Sequence, residues 1–135
     1  MKTNTCFTCF VSLLLVLMLG MTIAVAEEIT PYADTEFGTV TTVLQSNKQV
    51  SFRCATYSTK ECISVTSCWL EIENSDGSWS YVCSLTPPSV IFTNTFAYSA
   101  TVDYSDYIGT GTYRVWATYD ADGHSITRCS NERTF

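Results

Sequence analysis

The chain has 135 residues, 46% of them hydrophobic and only 15% charged, and carries a formal net charge of −6. That length supports one domain with its own core rather than two, and the composition excludes both a disordered acidic polymer and a basic nucleic-acid binder. An acidic surface repels phosphate backbones and anionic lipid heads, so no nucleic-acid partner is expected.

Lys2 precedes an apolar run from Phe7 to Ala26 whose polar members are Thr8, Cys9, Ser12 and Thr22, and the run closes on Ala24-Val25-Ala26. A charged start, an apolar stretch and an A-x-A close are the parts of a secretory signal peptide. The expected organisation is a cleaved signal over 1–26, an N-terminal leader over 27–37 and a folded domain over 38–135. The product is then secreted, with no membrane insertion after cleavage. A retained anchor is the competing reading, because about 20 apolar residues can span a bilayer. Cleavage would leave five cysteines, Cys54, Cys62, Cys68, Cys83 and Cys129. Outside the cytoplasm these are disulfide candidates, and their odd number leaves at least one thiol over. With no C-x-x-C pair among them and one histidine in the chain, neither a zinc ribbon nor a thioredoxin-like site has its spacing.

From Glu27 onward there are seventeen Thr, eight Tyr and three Trp against three Leu, a composition that suits pleated surfaces. Apolar residues recur with a period of two in several stretches and nowhere keep a helical period over a dozen residues. Strands are predicted near 39–45, 49–56, 67–73, 78–85, 96–104, 112–119 and 125–131, with a short additional one over 90–93. In the second, Val50, Phe52 and Cys54 share a side. Tyr98, Ala100, Val102 and Tyr104 do so in the fifth, and Tyr113, Val115, Ala117 and Tyr119 in the sixth.

The Asn74-Ser75-Asp76-Gly77 stretch marks a hairpin. A two-residue Asp76-Gly77 turn sets Leu70 opposite Cys83, Ile72 opposite Tyr81 and Cys68 opposite Leu85. One face is then apolar, with Tyr81 in it and Trp79 near its tip in the core; the other carries Trp69, Glu71 and Glu73. Cys68 and Cys83 become diagonal neighbours about 7–8 Å apart, too far for a disulfide, so Cys62 with Cys68, or Cys54 with either, is the easier pairing. About seven short strands predict an all-β, single antiparallel β-sandwich of immunoglobulin or fibronectin-III type, with a small β-barrel as the alternative. Tyr113, following Asp106 and Gly111, resembles the corner tyrosine of such sandwiches, although Val115 stands where an immunoglobulin domain has its second core cysteine.

Taken together, the signal peptide, the Ile29-Thr30-Pro31-Tyr32-Ala33 leader, Asp76-Gly77-Ser78-Trp79 and Gly111-Thr112-Tyr113-Arg114-Val115 resemble a group of small secreted proteins of clostridial bacteria (Firmicutes) with no established activity. The resemblance spans roughly residues 29–135. It implies export and a β-sandwich and assigns no functional residue.

Chemistry has few candidates. His124, the one histidine, sits in a turn, and Cys129 five positions on falls on the opposite strand face, which disfavours a dyad. Asp120 and Asp122 resemble the start of a calcium loop without its later ligands. No catalytic residue, metal or cofactor is expected. Glu71 and Glu73, two positions apart on a strand, lie about 6.5–7 Å apart, near the carboxyl separation of inverting glycosidases. A sheet face bearing Trp69 with Glu71, or another bearing Trp116 with Arg114 and Thr118, could form a platform that stacks on a sugar or meets a protein. The favoured expectation is an exported, non-enzymatic binding or surface/matrix structural module with a glycan or protein partner. The alternatives are a carbohydrate-active enzyme using Glu71 and Glu73, and a secreted signal or antagonist protein.

Overall fold

The computed structural model describes residues 34–135. The expected signal peptide and residues 27–33 of the expected leader lie outside the described residues. Seven strands follow in order: β1 (Phe37–Leu44), β2 (Gln49–Glu73), β3 (Trp79–Leu85), β4 (Phe92–Asp103), β5 (Thr112–Ala121), β6 (His124–Cys129) and β7 (Arg133–Thr134). The described residues contain no helix, and every strand pairing is antiparallel.

All seven strands belong to one sheet. Its spine is β2, which runs 25 residues and absorbs the two separate strands predicted over 49–56 and 67–73. Its first part pairs with β1 and β4, and its later part with β5 and β3. Between these two arms the register against β4 is broken from Ala55 to Lys60. This stretch, Tyr57-Ser58-Thr59-Lys60-Glu61, is polar or exposed and shows no alternation, which is why it reads as a loop in sequence although its backbone stays extended. The stretch predicted over 90–93 is not a strand of its own; its end joins the start of β4.

The β5–β6 hairpin holds this region from the side. Its loop is Asp122-Gly123, with both residues at positive φ, 55° and 84°, as a two-residue primed turn requires. The Asp122 carboxylate accepts from the backbone N–H of Glu61 (3.1 Å) and Cys62 (2.8 Å), and the Asp122 N–H donates back to the Cys62 carbonyl at 3.1 Å. Both Asp120 oxygens are likewise taken within the hairpin, by the Gly123 N–H and the Ser125 hydroxyl. The acidic turn is therefore a brace for β2.

The sheet curls so that one face encloses the core. Val50, Phe52 and Cys54 enter it from the first arm, Ile63, Val65, Cys68 and Leu70 from the second, and Tyr113, Val115, Ala117 and Tyr119 from β5. A register shift between Val65 and Ser67 lets Val65 and Cys68, three positions apart, both point inward. Tyr119 ties the arms together: its hydroxyl donates to the Thr41 carbonyl (2.8 Å) and accepts from the Thr42 hydroxyl (2.9 Å) on β1. Each fully buried large apolar side chain contributes about 1.5–3 kcal/mol, so the concave face carries most of the stability.

Gly111 stands at the start of β5 with φ +136°, and a Cβ added there would lie 3.1 Å from Ile72 Cδ1. Gly111→Ala is expected to lower the unfolding free energy by about 1–3 kcal/mol, measured by urea denaturation. A Gly77→Ala control faces open space at φ +80° and tests the backbone cost alone.

Candidate functional site

The convex face of the second arm gathers the residues singled out from sequence. Trp69 pairs with Trp116 and Glu71 with Arg114 across β2 and β5, so the two platforms expected separately are one. The indoles of Trp69 and Trp116 stack in parallel, 5.8 Å between centroids and 9° between planes. The guanidinium of Arg114 lies 4.1 Å from the Trp79 ring centroid and 5.5 Å from that of Trp116. The result is a row across three strands: Trp79, Arg114, Trp116, Trp69.

Glu71 is the polar centre of the row. One of its oxygens accepts from Arg114 Nε (2.7 Å) and Trp116 Nε1 (2.9 Å), and the other from Trp69 Nε1 (3.3 Å). Partial burial pushes its carboxyl upward, but the hydrogen bonds from Arg114, Trp116 and Trp69 and the Arg114 charge together outweigh that and hold it below the usual carboxylate range. A carboxyl kept ionised with three donors has no proton to give, which is the opposite of what a general acid requires. Glu73, two positions on and opposite Trp79, is exposed.

Trp79 and Tyr81 do not take the core positions expected for them. The hairpin loop has three residues rather than two: Asn74 N–H donates to the Ser78 carbonyl (2.7 Å) and Gly77 N–H to the Asn74 carbonyl (2.9 Å), a type I turn closed by a left-handed glycine. The pairing is thereby offset by one, with Glu71 opposite Tyr81 and Glu73 opposite Trp79, and both aromatics turn to the convex face. An irregularity between Leu70 and Glu71, with Val82 the extra residue on β3, restores the expected register, so Leu70 faces Cys83 and Cys68 faces Leu85. Tyr81 is 63% exposed and its hydroxyl shares a hydrogen bond with Ser84 at 2.9 Å. Reading Asn-Ser-Asp-Gly as a three-residue loop was the signal that would have placed both rings.

The disulfides expected from sequence are not formed: Cys54, Cys62, Cys68, Cys83 and Cys129 are free thiols. Cys62 and Cys68 lie six residues apart in one extended strand, a separation of about 20 Å that no disulfide spans. Cys54 and Cys68 are buried, and burial pushes the Cys54 thiol up to about 11. Cys129 pairs with Trp116; burial, with the nearby Glu71 and Glu132 carboxylates, raises its thiol against the pull of Arg114. Alkylation of the native protein is expected to spare Cys54 and Cys68 and to reach Cys62, Cys83 and Cys129, while urea exposes all five to the reagent, as peptide mass mapping would check.

His124 and Cys129 sit at opposite ends of β6. The His124 Nε2 lies 3.4 Å from Asp34 Oδ2, so its partner is the start of the described chain. Among the described residues no three metal-binding side chains cluster, and no helix is long and apolar enough to cross a membrane. No family model, curated protein or solved structure matches the chain.

Proposed function

We propose that the protein is an exported, non-enzymatic binding module that holds a glycan on the convex face of its second arm, the two arms of the curled sheet serving as the layers of an immunoglobulin-like sandwich. Export rests on the signal-peptide pattern over 1–26 and on the resemblance of the chain's motifs to small secreted clostridial proteins. The observation that carries the binding reading is the convergence of Trp69, Trp79, Tyr81 and Trp116 with Arg114 and Glu71 on one face of a rigid sheet. Sugar rings bind by stacking their C–H faces on aromatic rings while their hydroxyls meet polar groups alongside. Here Glu71 and Arg114 lie among the rings. Hydroxyls of Ser84 and of the Thr118–Thr127 pair (2.9 Å) border the row. Strand backbones and mutual stacking fix the rings beforehand, which reduces the ordering cost of binding.

The glycosidase alternative asks Glu71 and Glu73 to divide acid and base roles, and a Glu71 held ionised by three donors is barred from the acid role, which leaves that role to the exposed Glu73. Incubation with a panel of immobilised polysaccharides tests both. Retention without release of reducing ends supports the binding module, and Trp69→Ala with Trp116→Ala should abolish it while circular dichroism keeps its β signature. Release of reducing ends lost in Glu71→Gln would establish the enzyme instead, and the absence of both would remove the glycan reading.

A further inference from the structure

The first arm ends in an unpaired strand edge. β1 and β4 flank β2 there, and among the described residues no strand pairs with the far side of β4. The Tyr104 N–H donates to the Lys48 carbonyl at 3.1 Å, and in the same register Val102 faces Val50 and Ala100 faces Phe52. These residues therefore turn their backbone groups toward β2, so Ser99, Thr101 and Asp103 turn theirs outward, where no described residue takes them. The free edge of β1 is treated differently: the Asn131 side chain accepts from the Leu44 N–H at 2.9 Å and donates to the Leu44 carbonyl at 3.1 Å. β3 is interrupted by its irregularity at Val82. The β4 ladder from Ala97 to Asp103 has no such break, and Phe92–Val102 contains neither a charged residue nor a proline, the devices that commonly keep an edge from pairing.

We infer that this edge joins a second copy of the chain in a two-fold antiparallel pair, with Thr101 opposite the partner's Thr101. That register sets Ser99 opposite the partner's Asp103 and Ala100 opposite the partner's Val102, and the symmetry repeats each pairing. The outward groups of Ser99, Thr101 and Asp103 then form about six backbone hydrogen bonds. On the inner face, Ala100 and Val102, half-buried at the margin of the core, meet their own counterparts. On the outer face, charge selects the register. Arg53 lies beside Ser99 across the β2–β4 pairing, is exposed and forms no ion pair among the described residues. The partner's Asp103 is next in that row, two strand spacings or about 10 Å from Arg53, a gap that the two side chains span when extended toward each other. Within one chain Asp103 stands opposite Gln49, four residues or about 13 Å along β2 from Arg53, so the pair forms only between copies. Two such pairs per dimer work against the repulsion of chains that each carry −6.

Sedimentation equilibrium of the whole chain, expressed for export, over about 1–200 μM covers the range of a weak to moderate dimer. The expected result is a monomer–dimer equilibrium with no larger species, and slower hydrogen exchange at the Ser99, Thr101 and Asp103 amides as the dimer fills. Thr101→Pro removes an outward N–H and leaves the ladder to β2 intact, so it should weaken the dimer about tenfold or more. Arg53→Asp sets two carboxylates against each other at both ends of the interface and should weaken it about three- to tenfold. Adding Asp103→Arg to that variant should restore the parent affinity, a rescue that no contact within one chain can supply. Circular dichroism checks the fold of each variant, and the charge exchange carries the test if Thr101→Pro does not fold. A monomer at every concentration overturns the inference, whether those amides exchange freely or are protected within the single chain. So does a dimer indifferent to these substitutions, or an assembly that grows past two copies. None of these outcomes touches the glycan reading, whose face lies on the second arm.

Discussion

Phe52→Ala will lower the unfolding free energy by about 3–5 kcal/mol, the range found when a fully buried aromatic is truncated to alanine. Phe52 is 0% exposed and lies on the first arm of β2, with its ring edge-on to Tyr104 at 6.4 Å between centroids. Its neighbours on the strand face, Val50 and Cys54, are held by pairing on both sides with β1 and β4, so they cannot close the void. Urea denaturation with the transition followed by tryptophan fluorescence measures the loss. An unchanged denaturant slope with a shifted midpoint is the expected form, and a loss below about 1 kcal/mol would contradict the packing described.

Glu71→Ala will cost about 2–3 kcal/mol, somewhat below the figure for a wholly buried ion pair because water reaches both partners. The side chains of Glu71 and Arg114 are 18% and 22% exposed. Removal of the carboxylate strands a guanidinium and two indole N–H groups at once, and the loss of partners costs more than the pair itself contributes. The pH dependence has a definite sign. The Glu71 carboxyl is depressed in the folded protein, so its stabilisation is fully present above the unfolded glutamate value, about pH 4.3, and disappears as pH falls through the lower folded value. The difference in stability between the parent and Glu71→Ala should therefore be constant near neutrality and narrow in acid. A gap independent of pH would show that packing, not charge, accounts for the loss.

Much of the core was legible because its strands alternate without interruption. Val50-Phe52-Cys54 and Tyr113-Val115-Ala117-Tyr119 each present one unbroken period of two, and they enter the core as that pattern requires. The pattern failed where the chain departs from strict parity. One additional loop residue at Asn74–Gly77, cancelled by the irregularity near Val82, moved Trp79 and Tyr81 across the sheet while Cys68 and Leu70 stayed where expected. The continuity of β2 was hidden because Tyr57–Glu61 keeps strand geometry without burying alternate side chains, so no hydrophobic period marks it. The candidate face was half visible. Trp69 with Glu71, and Arg114 with Trp116, are each two positions apart and share a side by local geometry. That the two pairs meet depends on β2 pairing with β5 over more than forty residues, a register set by the whole fold and carried by no local motif. The two-residue β7, paired with Thr112 and Tyr113, is too short to leave any period at all.

The single long strand has a consequence for how the molecule assembles. Four of the six remaining strands hydrogen-bond directly to β2, and two of them, β4 and β5, are not its neighbours in the chain. Neither half of the sheet is a contiguous fragment, since β4 follows β3 in the chain yet returns to pair with the first arm of β2. Melting should accordingly be all-or-none, with calorimetric and van't Hoff enthalpies equal. Refolding should belong to the slow, high-contact-order class of β proteins, because distant segments must find β2 before any of them is rewarded.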